Sequence, residues 1–142
     1  MRQVGAGRVV YFPWDIDRTF WEVLNTDHGK LLYNAALWAT DEPAPLSVEG
    51  QGVLDLSVWT QRNSMTVHLV NLTNPMMMKG PVRAAIPISS QQVRIRVPAG
   101  KRIAKAHLLV AGVETTYRTD HDAIVIEVPS IRVHEVIALD FA

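Results

Sequence analysis

The run Trp14-Asp15-Ile16-Asp17-Arg18 holds the densest chemistry in the chain: an aromatic ring, two carboxylates two residues apart and an adjacent guanidinium. Such a set can hydrogen-bond a sugar hydroxyl or hold a cation. Loops after the C-terminal ends of buried parallel strands are where α/β sheets seat ligands. The same residues also suit a purely structural role. Asp17 is a candidate N-cap ahead of Thr19-Phe20-Trp21-Glu22, and the aspartates can pair with Arg18. Capping or an internal ion pair is the simpler expectation. Ligand binding by Trp14, Asp15, Asp17 and Arg18 is the alternative. Two carboxylates are too few for a metal ion unless others converge on them.

A second candidate is the irregular stretch from Asn71 to Pro81, polar at first, methionine-rich in the middle and bounded by prolines. Methionines adapt to irregular surfaces, so Asn71, Asn74, Met76, Met77 and Met78 are expected to form a contact loop. Packing or an inter-domain contact comes first, and a ligand loop is the alternative. Asn71-Leu72-Thr73 fits the glycosylation pattern only formally, because no secretory leader accompanies it.

Other chemistries lack their residues. Gly5-Ala6-Gly7 has no third glycine and precedes a strand, so it reads as a turn and not as a dinucleotide fingerprint. His28, His68, His107, His121 and His134 show no metal-pair spacing. Asp120-His121-Asp122 reads as a hairpin turn. No serine stands in a Gly-x-Ser-x-Gly elbow. Glu135 interrupts the apolar run Val133–Leu139 and is the most notable glutamate; a buried, hydrogen-bonded edge position explains it better than catalysis. No catalytic residue, metal ligand or cofactor is therefore expected.

The elements that must position these residues follow from pattern. Val9-Val10-Tyr11-Phe12 reads as one strand covered on both faces, stopped by Pro13. A helix from about His28 to Ala39, capped by Thr26 or Asp27, would present Leu31, Leu32, Ala35, Ala36 and Ala39 as an apolar stripe with Trp38 at its edge. Asp41-Glu42-Pro43-Ala44-Pro45 is a linker, since two prolines two apart stop a helix. From Leu46 the period becomes two: Leu54/Leu56/Val58, Met65/Val67/Leu69, Val93/Ile95/Val97, Ala106/Leu108/Val110, Ile124/Ile126/Val128 and a last strand from Val133 to Phe141. The expected fold is mainly β: an antiparallel β-sandwich over residues 46–142, preceded by a short strand-helix segment over 1–42 from an incomplete α/β domain.

Composition narrows the function classes. The 142 residues are 48% hydrophobic and 20% charged, with 14 basic residues against 14 acidic. Nothing favours nucleic acid or an anionic membrane surface. There is no cysteine, which removes disulfides and thiolate chemistry. With no apolar leader and no run near the ~20 residues that span a bilayer, a cytoplasmic location is expected.

The run Gly7-Arg8-Val9-Val10-Tyr11-Phe12-Pro13-Trp14-Asp15-Ile16-Asp17-Arg18-Thr19-Phe20-Trp21, followed by Leu31-Leu32-Tyr33-Asn34-Ala35-Ala36-Leu37-Trp38-Ala39, resembles the end of the β-galactosidase trimerisation-type domain, which is amidotransferase-like in fold. His68-Leu69-Val70-Asn71-Leu72-Thr73-Asn74-Pro75, Lys79-Gly80-Pro81, Val128-Pro129-Ser130 and His134-Glu135-Val136-Ile137-Ala138-Leu139 are similar to the small C-terminal β-domain of the same bacterial glycoside hydrolase-like proteins. The resemblance implies that the acid and nucleophile belong to a catalytic barrel upstream, that no catalytic role falls on this chain, and that Met1 begins inside a domain, either of a truncated or split reading frame or of a chain completed by another polypeptide. The expected function is structural, in assembly of a glycoside hydrolase-like (β-galactosidase-like) protein. The expected partners are a catalytic barrel domain or a second copy of the chain, giving a homo-oligomer. A carbohydrate-binding β-sandwich module is the alternative. An enzyme in its own right would need carboxylates that converge.

Overall fold

The computed structural model describes residues 1–142 except Leu24, Asn74–Gly80 and Val82. The described chain forms two compact units, Met1–Ala44 and Pro45–Ala142.

In the first unit, β1 (Arg2–Val4) and β2 (Gly7–Val9) form an antiparallel hairpin. This corrects the expected buried strand over Val9–Phe12. The hairpin partner covers one edge only, Val9 and Tyr11 are largely exposed, and the pairing stops at Val9. Helix α1 (Ile16–Val23) starts one residue before the expected cap. The Asp15 carbonyl accepts from Thr19 N at 2.9 Å, so Asp15 holds the N-cap position and Asp17 lies in the first turn, where its charge suits the positive end of the helix. Helix α2 (Thr26–Thr40) is capped by Asn25, whose Oδ1 accepts from Asp27 N at 2.9 Å, so it begins two residues earlier than expected. Its exposed side carries Leu31, Ala36 and Ala39, which corrects the stripe, while Leu32, Ala35 and Trp38 are partly covered. Gly29 lies against Phe20, where an added Cβ would sit 3.0 Å from the ring. His28 has a buried Nδ1 with no partner among the described residues.

Arg8 closes the C-terminal end of α2. Asp41 adopts the left-handed conformation that ends many helices (φ 57°) and returns its N–H to Leu37 O. The Arg8 guanidinium meets Asp41 with two bonds of 2.6 and 2.7 Å and donates to Trp38 O at 3.0 Å. A cation at the negative end of a helix is where the backbone dipole favours it.

The second unit is an antiparallel sandwich. One sheet is ordered β3 (Leu46–Glu49), β6 (Gln91–Arg96), β10 (Ala123–Val128), β9 (Arg118–Asp120). The other is ordered β4 (Leu54–Thr60), β5 (Ser64–Asn71), β11 (His134–Phe141), β7 (Ile103–Leu108), β8 (Val113–Glu114). Alternation decides which side chains face inward. Met65, Val67 and Leu69 of β5 and Ile137, Leu139 and Phe141 of β11 meet Val93 and Ile95 of β6 and Ile124, Ile126 and Val128 of β10 in one core. Each fully buried aliphatic side chain contributes roughly 1.5–3 kcal/mol. The chain crosses between sheets after β3, β5, β6, β8 and β10, and the isolated bridge Ile88↔Ile131 ties the β5–β6 and β10–β11 crossings together.

Asn71 is pinned where the chain leaves β5 for the other sheet. Its Nδ2 donates to the Ile86, Ile131 and Arg132 carbonyls at 2.8, 3.2 and 3.0 Å, and its Oδ1 accepts from Thr73 N at 2.9 Å. The expected contact residue is thus a structural clasp. Asn74, Met76, Met77 and Met78 lie outside the described residues. Asn71→Asp should cost about 2–3 kcal/mol, because it removes a donor and faces a carboxylate with carbonyls. Urea denaturation checks this; a midpoint matching the parent would refute the clasp.

Candidate functional site

The Trp14–Arg18 turn is local and solvated. Arg18 reaches Asp15 at 3.9 Å and Glu22 at 3.0 Å, as i,i+3 and i,i+4 pairs on the face of α1, with every partner more than half exposed. Pairs of this kind contribute only a few tenths of a kcal/mol. Trp14 stands edge-on to Phe12, with ring centroids 5.8 Å apart. The four residues named from sequence therefore sit together on one exposed turn, with Arg18 already shared between two acids.

The outer face of the four-stranded sheet is more organised. Arg94 and Arg96 project from β6 and reach over β10 to the β9–β10 turn. Arg94 Nε donates to Asp120 at 2.9 Å and Nη2 to Asp122 at 3.4 Å, and Arg96 Nε donates to Asp122 at 2.7 Å. Between them lies Ala123, the cross-strand partner of both Arg96 and Asp120. The side chain of Ala123 is short enough to be roofed over, and it is 1% exposed despite facing outward. The hydrogen bond from Arg94 holds the Asp120 carboxyl below the ordinary value of 3.8, and the hydrogen bond from Arg96 does the same for Asp122. The bond to Asp120 raises Arg94 in turn.

These lowered values fix a pH dependence. An acid that is more acidic in the folded protein adds stability above its unfolded value, and that stability fades as pH falls through the folded value. Asp120→Asn should therefore melt below the parent at pH 7. The gap should narrow below about pH 3.8 and close once the native carboxyl is protonated. Thermal melts across pH check it; a gap that grows in acid would refute the linkage.

Two histidines that are 66 residues apart meet on the five-stranded sheet: His68 Nδ1 and His134 Nε2 are separated by 3.3 Å. The bond needs one ring nitrogen to donate and a neutral ring to accept. Sequence spacing carried no trace of this pair, because strand register makes it. Among the described residues, no three His, Asp or Glu side chains converge as a metal ion would require.

Glu135 is 4% exposed and faces the core side of β11. Its Oε1 accepts from Val110 N and Val136 N, both at 2.8 Å, and its Oε2 accepts from Ala111 N at 3.1 Å. It closes the turn between β7 and β8. That turn is why Val110, expected on a strand, is exposed. Strand β11 is central in its sheet, which corrects the edge placement.

A cleft of about 580 Å³ opens at one end of the sandwich, between the segment Val97–Ile103 and the segment from Tyr117 to Ile124. Lys101, Arg102, Tyr117 and His121 line its mouth, and Val97, Ile103 and Ile124 form apolar wall. A smaller polar hollow of about 260 Å³ meets it at Tyr117 and includes Gln92, Arg118 and Glu127. The cleft has no signature in the sequence, since its walls are 14 or more residues apart and share no motif.

No family model matches the sequence, and no curated protein matches it. Among solved structures, the chain is similar to α-L-fucosidase isoenzyme 2 from Paenibacillus thiaminolyticus, with a TM-score of 0.72 and 12% identity, over 91% of this chain and 20% of that one. The chain therefore spans about a fifth of the length of that enzyme. At this identity the likeness is one of fold, to part of a glycoside hydrolase.

Proposed function

We propose that the chain is a non-catalytic structural portion of a glycoside hydrolase-like protein, packing against a catalytic domain or a second copy of itself. The carrying observation is its fold likeness over 91% of its length to part of an α-L-fucosidase. Five of the acids are engaged in ways that fit the reading. Glu135 is saturated by backbone donors, Asp120 and Asp122 by arginines, Asp41 by Arg8, and Glu127 accepts from Ser90. Hydrolysis of a glycosidic bond needs two carboxylates facing each other across about 5–9 Å with free oxygens. Exposed Val4, Val9, Trp21 and Leu31 in the first unit supply apolar surface for a partner.

The purified chain should release no chromophore from aryl fucosides or aryl galactosides, and should sediment as a dimer or larger. Turnover that the double substitution Asp15→Asn and Asp17→Asn removes would make it an enzyme instead. A monomer whose first 40 residues are fully protease-sensitive would end the self-assembly version. A second reading, carbohydrate binding by the sandwich, is favoured by the cleft at Tyr117.

A further inference from the structure

We propose that the cleft between Val97–Ile103 and Tyr117–Ile124 binds an acidic saccharide, a sugar carrying a carboxylate, with the Tyr117 ring against the sugar and Arg102 and Lys101 on the acid group. This rests on the carbohydrate-binding reading and names its ligand class and its site. Size comes first. About 580 Å³ falls in the range of small-molecule sites, roughly 300–1,000 Å³, and admits one or two sugar rings. The walls come second. Sugars present apolar C–H faces beside their hydroxyls, and the cleft sets apolar Val97, Ile103 and Ile124 beside polar groups. Tyr117 is 40% exposed. It immediately precedes β9, an edge strand whose one neighbour is β10, so no further strand of its sheet covers that side. An aromatic ring with a polar tip suits such a half-wet position.

Charge selects among sugars. Asp122, the acid in the wall, is already bound by Arg96 and Arg94. Lys101 donates to the Arg62 carbonyl at 2.8 Å, which leaves it two further donors. Arg102 forms no ion pair with a described carboxylate, and His121 stands at the mouth with its side chain 92% exposed. The cleft thus offers a guanidinium and an ammonium with no ion-pair partner among the described residues, the ammonium lying 5.8 Å from the Phe141 ring centroid. A ligand carboxylate gains charge-assisted hydrogen bonds that a neutral sugar cannot make.

Calorimetric titration with digalacturonate, galactobiose and sodium acetate tests the proposal on the full chain. Digalacturonate should bind about tenfold tighter than galactobiose, and acetate should not bind measurably. Arg102→Met should reduce digalacturonate to the level of galactobiose. Tyr117→Ala should abolish both, while Tyr117→Phe, which keeps the ring, stays within about threefold of the parent. Thermal melts confirm that each variant is folded. Equal affinity for acidic and neutral disaccharides, or an Arg102→Met variant that binds as the parent does, overturns the acidic ligand and leaves the carbohydrate-binding reading standing. No binding of either disaccharide overturns both, and the turnover and sedimentation results decide the structural reading separately.

Discussion

Glu135→Ala should destabilise the protein by about 3–5 kcal/mol, an effect in the range expected when buried donors around a charged acceptor lose their partner. The carboxylate serves three backbone N–H groups at 2.8, 2.8 and 3.1 Å. Water can replace it at Val110 and Ala111, which are exposed, but not readily at Val136, which is buried. The loss is therefore below three full penalties and above one. Glu135→Gln separates charge from geometry. Its remaining carbonyl oxygen can still accept from Val110 and Val136, while its amide would confront the Ala111 N–H with a second donor. It should cost about half as much as alanine. Urea denaturation of both variants measures the order. If alanine cost less than about 1 kcal/mol, or if glutamine were the worse of the two, the carboxylate would not be what closes the β7–β8 turn.

The period-two runs were legible because each buries one face against a partner sheet. Met65, Val67 and Leu69 alternate with Thr66, His68 and Val70, and the inward three are nearly fully buried. The same logic reads Ile124, Ile126 and Val128. It failed where burial is not what makes the strand. Arg2–Val4, Val113–Glu114 and Arg118–Asp120 are two or three residues long, polar or exposed, and owe their form to a single neighbour. It misled at Val9–Phe12, where β-branched and aromatic residues imply a covered strand but the hairpin offers only one edge. For the candidate sites, the chain order of Trp14–Arg18 displayed chemistry that the helix surface then dispersed into local pairs. The cleft gave the opposite outcome. Lys101, Arg102 and Tyr117 become a set only because pairing of β9 and β6 with β10 places the β9–β10 turn beside the β6–β7 connection. The function of Glu135 lay equally out of reach, since its partners at Val110 and Ala111 are 25 and 24 residues away.

Gly52→Ala should cost about 2–5 kcal/mol, from two sources that can be separated. Gly52 has φ of +109°, a conformation that side-chain-bearing residues rarely adopt. A Cβ there would also sit 2.7 Å from Ile88 Cγ2 and 2.8 Å from Thr73 Oγ1. Neither neighbour can yield cheaply. Ile88 is 6% exposed and belongs to the bridge with Ile131, and Thr73 Oγ1 accepts from Val53 N at 2.9 Å. Gly100 supplies the control: its φ is +77° and an added Cβ meets nothing within 4 Å. Gly100→Ala should therefore show backbone strain without crowding, about 1–2 kcal/mol, and the excess at Gly52, about 1–3 kcal/mol, combines the crowding with the greater strain of its wider φ. Ile88→Ala removes the Cγ2 methyl that the added Cβ would strike, so the double variant with Gly52→Ala should cost less than the sum of the two single variants if the contact is real. Denaturant midpoints for Gly52→Ala, Gly100→Ala, Ile88→Ala and the double variant give the comparison. Equal costs at Gly52 and Gly100 would mean that the crossing between the sheets is loose enough to move aside, and that the clasp built from Asn71, Thr73 and Ile88 does not hold it.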